Sequence, residues 1–182
     1  MRLDHIAYRV FDRYKTAQFF IDCLGYRILE DLPEGFKLKF DDGTTTNCLV
    51  LVPSEKTIKE LPWNTILPFG EISQTYHVPP EIFISDGADG SIVGEWVKSR
   101  DNVGGVHHMA YQVDDVAAAM EEWTKKGYAE FLSEKPLTCP GLEQVFTKPS
   151  KLTGIIYELI KRDGHGFCEE NVKDLMLSSK GS

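Results

Sequence analysis

Apolar and polar residues follow the same order of patterns in the first and second halves of the chain. Residues 3–10 and 106–113 alternate between apolar and polar side chains, which is typical of a strand with one buried face. After each strand, apolar residues recur at helical spacing: Tyr14, Ala17, Phe20, Ile21 and Leu24 in the first half, and Val116, Ala119, Met120 and Trp123 in the second. The pattern predicts a strand followed by an amphipathic helix in each half.

Both predicted helices carry signals for their ends. Asp12 and Asp115 stand at the N-cap positions, where an aspartate side chain can accept hydrogen bonds from the free amides of the first turn. Gly25 and Gly127 follow the last apolar positions, where a residue with left-handed backbone commonly ends a helix. The two helices are therefore expected between these residues.

The two halves also share individual residues at a constant offset. Aligning His5 with His108 (108 − 5 = 103) aligns Tyr8 with Tyr111, and it aligns the alanine and the valine on either side of each tyrosine as well. Self-similarity at a fixed offset indicates two copies of one supersecondary unit.

Further strands are predicted after each helix. They cover residues 26–32, 36–40, 47–52 and 81–85 in the first half, and 129–132, 143–147 and 154–160 in the second. The fold class is therefore α+β, with two β-α-β-β-β modules that pair their curved sheets into one open barrel. We expect a single domain over residues 1–182, with module one at 1–100, module two at 101–162 and a tail at 163–182. Prolines mark residues 53–80 as an insertion in module one, for which we favour a lid or a subunit arm.

Charge and composition exclude several classes of function. The formal net charge is −8 and no basic stripe is present, so nucleic acid is not an expected partner. No apolar run reaches the roughly 18–20 residues of a membrane span, and the first residues lack a signal-peptide pattern. The cysteines are scattered without a CxxC pair, so we expect reduced thiols and a cytoplasmic protein. They are Cys23, Cys48, Cys139 and Cys168.

Two histidines occupy equivalent positions of the repeated strand. Side chains alternate between the two faces of a strand, so His5 shares a face with Ala7 and Arg9, and His108 lies on the equivalent face of the second copy. The same alternation places His107 on the opposite face. Because a duplicated unit arranges equivalent residues around a common cavity, His5 and His108 are expected to face each other.

A carboxylate completes a candidate metal site. Glu158 stands in the middle of an apolar strand, where a buried charge is costly unless it is paired or binds a metal ion. Two imidazoles and one carboxylate form a set that suits Fe(II), Mn(II), Co(II) or Zn(II) and leaves positions open for substrate. The sequence therefore predicts His5, His108 and Glu158 as ligands of a divalent metal.

These segments resemble a known superfamily. LDHIAYRV, GGVHHMAYQVDDV and IIYELI are similar to the glyoxalase/vicinal-oxygen-chelate superfamily across nearly all of residues 1–162. The resemblance implies paired β-α-β-β-β modules and metal ligands at His5, His108 and Glu158. It also leads us to expect a homodimer and an enzyme that uses Fe(II), with Co, Mn, Zn or Ni as other possible ions.

Two families within the superfamily compete for the closer match. The segment around GGVHHMAYQVDDV is similar to methylmalonyl-CoA epimerases, whereas EQVFTKPSKLTGIIYELIKRDGHGFCEENVKDLM resembles the end of 4-hydroxyphenylpyruvate dioxygenases. The dioxygenase resemblance implies that Phe146 and Phe167 grip an aromatic ring and that Gln144 lies beside them. It further implies a non-haem Fe(II) dioxygenase whose substrates are a 2-oxo acid and O2. The alternatives are an epimerase-like or glyoxalase-like enzyme that stabilises an enolate, and a ligand-sequestering protein.

A fourth ligand position would separate the two families. Epimerases and glyoxalases supply this ligand from the last strand of the first module, and an ungapped match places it at Ile82, which cannot bind metal. A shift of one residue would bring Glu81 inward instead. The catalytic carboxylate of the epimerases falls near Asn47, which is not a useful base. Both departures favour the dioxygenase.

The tail is predicted to act as a gate over the active site. Glycines at 164 and 166 are candidate hinges, and residues 171–175 are expected to form a short helix. Phe167, Val172, Leu175 and Met176 give the tail an apolar face. Docking of that face would shield the metal site from water.

Overall fold

The computed structural model describes residues 1–54, 79–163 and 167–180. In the first half the elements are β1 (Arg2–Arg9), α1 (Arg13–Leu24), β2 (Tyr26–Ile28), β3 (Phe36–Lys39), β4 (Thr45–Pro53), β5 (Glu81–Gly87) and α2 (Ile92–Lys98). In the second half they are β6 (Gly105–Gln112), α3 (Val116–Lys125), β7 (Leu137–Cys139), β8 (Leu142–Phe146), β9 (Ile156–Arg162) and α4 (Glu169–Ser178).

The nine strands of the described residues form one open curved sheet. Its order is β2-β4-β5-β1-β6-β9-β8-β7, and β3 pairs with β4. The first strands of the two copies, β1 and β6, pair antiparallel at the centre, and each is flanked by a parallel strand, β5 or β9. The predicted α+β class and the pairing of two modules in one open sheet are confirmed. The module limits at residues 100 and 162 stay a prediction.

The capping signals explain where α1 and α3 begin and where α1 ends. The Asp12 side chain accepts hydrogen bonds from the amides of Tyr14 and Lys15, and that of Asp115 accepts one from Ala118. Gly25 ends α1 in the left-handed conformation, with φ at 72°. Capping hydrogen bonds therefore start both helices at the residues that the sequence pattern predicts.

The sheet separates two apolar layers. Its convex face packs against α1 and α3, with Ile82 and Ile84 beneath α1. Its concave face carries Ala7, Phe83 and Val50, which α2 and α4 cover. The three predicted ligands His5, His108 and Glu158, here called the triad, lie on this concave face, between the sheet and the two helices.

Several elements differ from the sequence pattern. The strand predicted at 129–132 is reduced to a single bridge between Phe131 and Thr147, whereas β7 and α2 were not predicted. The α4 helix is longer than the short helix predicted at 171–175. Most of the insertion at 53–80, and the candidate hinge glycines at 164 and 166, lie outside the described residues.

The prediction of four reduced thiols is wrong for one pair. Cys139 at the end of β7 and Cys168 before α4 form a disulfide, whereas Cys23 and Cys48 are free. Their separation of 29 residues in the chain hid this proximity, because only the docking of α4 brings them together. Among the described residues, no helix is long and apolar enough to cross a membrane.

Candidate metal centre

Strand pairing brings the three predicted ligands together. In the central pair, His5 lies opposite Ala110 and His108 lies opposite Ala7, so the two imidazoles flank the axis between β1 and β6. Glu158 lies beside Ala110 on β9. The small alanine side chains leave room above the sheet, and all three ligand side chains turn into that space.

The donor atoms are spaced as one ion requires. His5 Nε2 lies 3.3 Å from His108 Nε2 and 3.3 Å from Glu158 Oε2, and His108 Nε2 lies 3.4 Å from the same oxygen. Donors about 2.0–2.2 Å from a shared ion are roughly 3.0–3.5 Å apart. His5, His108 and Glu158 are therefore able to hold a divalent ion as they stand, and they form a potential metal-binding group.

Two β-bulges orient the histidines. Asp4 is an extra residue in β1 between the partners of Tyr111 and Ala110, and His107 is an extra residue in β6 between the partners of Tyr8 and Ala7. Asp4 Oδ1 lies 2.8 Å from His5 Nδ1, and His107 Nδ1 lies 3.0 Å from His108 Nδ1. Each contact engages Nδ1 and leaves Nε2 for the metal.

The bulge also overturns one sequence prediction. Simple alternation placed His107 on the face opposite His108, but an extra residue interrupts alternation locally, so both side chains reach the concave side. His107 is 6% exposed and lines the same small cavity as His108. A bulge leaves no mark in the apolar pattern, so the sequence could not reveal this contact.

An ion-pair cluster surrounds Asp4, the residue that contacts His5. Arg162 at the end of β9 contacts both carboxylate oxygens of Asp4, at 3.1 and 2.9 Å, and it contacts Glu81 at 2.8 Å. Asp4 thus receives charge-assisted hydrogen bonds on one side while it engages His5 on the other. Glu81 does face the concave side, as the shifted alignment predicts, but there it pairs with Arg162 and is not part of the triad group.

Electrostatics distinguish the two histidines. Burial alone would lower the pKa of His5, but the carboxylates of Glu158 and Asp4 outweigh it and raise this pKa to about 9. Burial, reinforced by the neighbouring His5 and Arg9, lowers the pKa of His108 well below its usual range. Burial raises the pKa of Glu158. Without metal, the site therefore holds a proton on His5, which a metal ion must displace.

Phe83 occupies the position from which a fourth ligand would come. Glu158 pairs with Ala110, the repeat equivalent of Ala7, and Ala7 pairs with Phe83 in the parallel strand β5. The position predicted from the ungapped alignment, Ile82, is wrong, because its side chain packs beneath α1 on the convex face. An apolar residue nevertheless occupies the site, so this position supplies no ligand.

Asn47 also lies away from the triad. It pairs with Asp86 across β4 and β5, and its amide donates to Asp86 Oδ1 at 2.9 Å. Arg13 binds the same carboxylate at 3.0 Å. Asn47 therefore belongs to a polar cluster at the start of α1 and contacts no ligand of the triad.

The three remaining predicted site residues lie on the concave side. Phe146 meets His108 edge-on, with ring centres 5.7 Å apart, and Phe167 meets His5 in the same way at 5.1 Å. Gln144 is buried on the same face of β8, two residues before Phe146, beside Ile160 of β9. One phenylalanine ring thus borders each histidine of the triad.

The α4 helix closes the concave side. Val172 and Met176 pack in the core of module one beside Ala7 and Phe83, whereas Leu175 packs against Phe146 in module two. With α4 docked, His5 and Glu158 are each only 1% exposed. The sheet and the docked α4 therefore shield the triad from solvent.

Comparison with protein families agrees with this architecture. The family model of the Glyoxalase/Bleomycin resistance protein/Dioxygenase superfamily matches residues 2–152. Mitochondrial methylmalonyl-CoA epimerases from Mus musculus and Homo sapiens are each 25% identical over 161 residues. That span covers 87% of this chain and 71% and 72% of the two relatives.

Solved structures show the same fold. A crystal structure of methylmalonyl-CoA epimerase matches with a TM-score of 0.59 and 19% identity, over 90% of this chain and 97% of that one. A mutant of 4-hydroxymandelate synthase from Streptomyces coelicolor matches with a TM-score of 0.67 and 17% identity, over 98% of this chain and 53% of that one. At these identities the likeness concerns the fold alone. The chain belongs to the Glyoxalase/Bleomycin resistance protein/Dioxygenase superfamily.

Proposed function

We propose that the protein is a divalent-metal-dependent enzyme whose substrate is a small carboxylic acid bound at the triad. The observation that carries the proposal is the set of three donors, from three strands, within 3.4 Å of one another. Two imidazoles and one carboxylate leave coordination positions free for a chelating substrate.

The chain itself contributes orientation and the exclusion of water. A divalent ion acts as a Lewis acid toward carbonyl and carboxylate oxygens of a substrate. Asp4 and His107 hold the two imidazoles with Nε2 directed inward, while Phe146, Phe167 and α4 keep the surroundings apolar. In such a pocket each charge interaction with the substrate is stronger than in water.

Proton transfer next to a carbonyl group is the reaction that we propose first. Its support is the similarity to methylmalonyl-CoA epimerases over 87% of the chain. The motifs of the tail favour the dioxygenase, whereas the similarity over most of the chain favours the epimerases. The substrate would be a carboxylic acid or its thioester with an acidic C–H bond.

A dioxygenase acting on a 2-oxo acid is the second candidate, and one geometric observation favours it. Phe83 occupies the repeat equivalent of Glu158, so the described residues supply three ligands rather than four. Glu81, the nearest alternative, is bound to Arg162. A three-ligand site that suits Fe(II) leaves room for both a bidentate 2-oxo acid and O2.

One experiment separates the two reactions. Protein purified without oxygen is analysed for bound metal and then incubated in deuterated water with methylmalonyl-CoA or with a panel of 2-oxo acids. Deuterium incorporation without oxygen uptake supports proton transfer, whereas oxygen uptake with release of carbon dioxide supports the dioxygenase. Protein that binds no divalent metal at all contradicts both proposals. The triad variant His5→Ala is the control for metal dependence in either assay.

We also propose that α4 is the gate of this site. The disulfide ties Cys168 to β7, so a movement of α4 that keeps the bond intact pivots at Cys168 or beyond it. Removing residues 164–182 should leave the fold and the bound metal in place and abolish turnover or substrate affinity. Leu175→Ala, which removes a buried contact, should weaken closure, whereas Leu177→Ala on the exposed side of the helix should not. Unchanged turnover of the truncated protein would show that α4 only packs.

A further inference from the structure

Arg9 is a buried cation on the strand that carries His5. It is the last residue of β1 on the concave face of the sheet, and it is 2% exposed. Its Nη2 donates to Ser179 Oγ at 3.0 Å, whereas its Nη1 is buried and contacts no hydrogen-bond acceptor among the described residues. The guanidinium carbon lies 5.7 Å from the centre of the Trp96 ring. Arg9 therefore keeps one donor group unused in the interior.

No described carboxylate neutralises Arg9, in contrast to the other enclosed arginines. Arg162 binds Asp4 and Glu81, and Arg13 binds Asp86. The charged neighbour that most affects Arg9 is a second cation, Arg100, and burial together with this repulsion lowers the pKa of Arg9 to about 9. A buried charge without a partner is strongly unfavourable, so a fold that retains one is expected to have a use for it.

Arg9 borders the space beside the triad. Arg9, Ser85, His107 and His108 line one small cavity, whose remaining lining comes from neighbouring residues of β1, from Phe83 of β5 and from apolar side chains of α4. With α4 docked, the cavity leaves about 10 Å³ for the centre of a water-sized group. That is space for about one water molecule, so a ligand must enter as α4 moves away.

His107 provides a second donor in this cavity. When His108 uses Nε2 for a metal ion, its Nδ1 carries the proton and donates to His107 Nδ1 at 3.0 Å. Because His107 Nδ1 accepts this hydrogen bond, the proton of its own ring is on Nε2. That atom is buried and has no partner among the described residues. Two unpaired donors, one of them charged, therefore border a cavity that also borders a triad ligand.

We propose that Arg9 and His107 bind a carboxylate of the substrate, and that the substrate is a short dicarboxylic acid. One end chelates the metal at the triad and the other binds Arg9. Arg9 lies two residues beyond Ala7, which pairs with His108, and two residues of a strand span about 7 Å. A chain of a few carbon atoms bridges that distance. The inference deepens the proposed function and rests on it, because it assigns the second end of the same substrate.

The test compares two acids of equal length. 2-Oxoglutarate and 2-oxopentanoate differ only in the second carboxylate, and their binding is measured by calorimetry and thermal shift at matched ionic strength in chloride. Wild type and Arg9→Met are compared with Arg100→Met, which removes the same charge from the exposed arginine over the same Trp96 ring. Each protein is measured with bound Zn²⁺ and without metal.

We expect wild type and Arg100→Met to bind 2-oxoglutarate about tenfold or more tightly than 2-oxopentanoate, and Arg9→Met to show no preference. Without ligand, Arg9→Met should melt at the wild-type temperature or above, because an unpaired buried charge is removed. Equal preference in all three proteins overturns the proposal. If Arg9→Met fails to fold, Arg9→Lys takes its place, because it keeps the charge. The assignment is refuted if neither folded Arg9→Lys nor the wild type prefers 2-oxoglutarate.

The two arms with and without metal separate this proposal from the proposed function. An Arg9-dependent preference for the dicarboxylate that persists without Zn²⁺ supports the anion site by itself. A protein that binds no Zn²⁺ but keeps this preference contradicts the metal-dependent function and leaves the anion site standing. A protein that binds Zn²⁺ and shows no Arg9-dependent preference retains the proposed function and loses the anion site.

Discussion

β1 and β6 each contain one bulged residue immediately before the histidine of the triad, Asp4 in the first and His107 in the second. The two bulges are themselves equivalent in the repeat, since 107 − 103 = 4. In both strands the bulged side chain reaches Nδ1 of the following histidine. Both copies thus contain the β-bulge, but the group that orients the imidazole is a carboxylate in one and a neutral imidazole in the other.

The same comparison extends along the concave face. Arg9 of β1 corresponds to Gln112 of β6, and Phe83 beside β1 corresponds to Glu158 beside β6. The first module thus contributes the buried positive charge, and the second module contributes the triad carboxylate. The two modules therefore contribute opposite charges to the pocket. This difference suits an elongated substrate whose two ends bind different groups.

Loss of a triad ligand should have the largest effect. Ala at His5, His108 or Glu158 removes one of three donors, and we expect the affinity for Zn²⁺ or Fe²⁺ to fall by more than about a hundredfold, beyond the 10–100-fold of outer partners. Isothermal titration and metal analysis measure the change. Glu143→Ala, on the neighbouring strand β8, is the matched control and should bind metal normally. Full metal occupancy in any triad variant would contradict the assignment.

The two orienting residues should differ in effect. Asp4→Ala removes a carboxylate that Arg162 holds in place, so metal affinity should fall about tenfold or more. His107→Ala removes a neutral partner and should lower affinity less. The comparison is direct, because each variant deletes the equivalent side chain of one module. Equal losses in the two variants would show that the nature of the orienting group is unimportant.

Metal affinity should also depend on pH, through His5. Its pKa is raised to about 9, so below that pH a proton must leave before the metal binds. Apparent affinity is therefore expected to rise about tenfold per pH unit from pH 6 to pH 8 and to level off near pH 9. In Asp4→Ala, which loses one of the carboxylates that raise this pKa, the plateau should begin at lower pH. A pH-independent affinity would exclude protonated His5 as the competing species.

The triad is predictable from the sequence because periodicity and repetition are both visible along the chain. The repeat marks His5 and His108, and a charge in an apolar strand marks Glu158. The contacts of Asp4 and His107 are not predictable, because a bulge changes the face of a residue without changing the pattern. Ile82 is the wrong choice for the fourth position, because a single-residue gap in a turn reverses the strand face. The disulfide leaves no signal in the sequence, because Cys139 and Cys168 meet only through the docking of α4.

Making the two modules alike should have the smallest effect. Phe83→Gln places an amide of the same length as Glu158 at the equivalent position beside β1, so it can offer a fourth, neutral ligand. Without metal, the buried amide and the lost ring contact with Phe167 should lower the melting temperature. With Zn²⁺ the new ligand should offset part of this loss, and metal affinity should rise a few-fold. The control Phe83→Leu loses the ring without adding a donor. If both variants bind metal equally, the fourth position does not reach the ion.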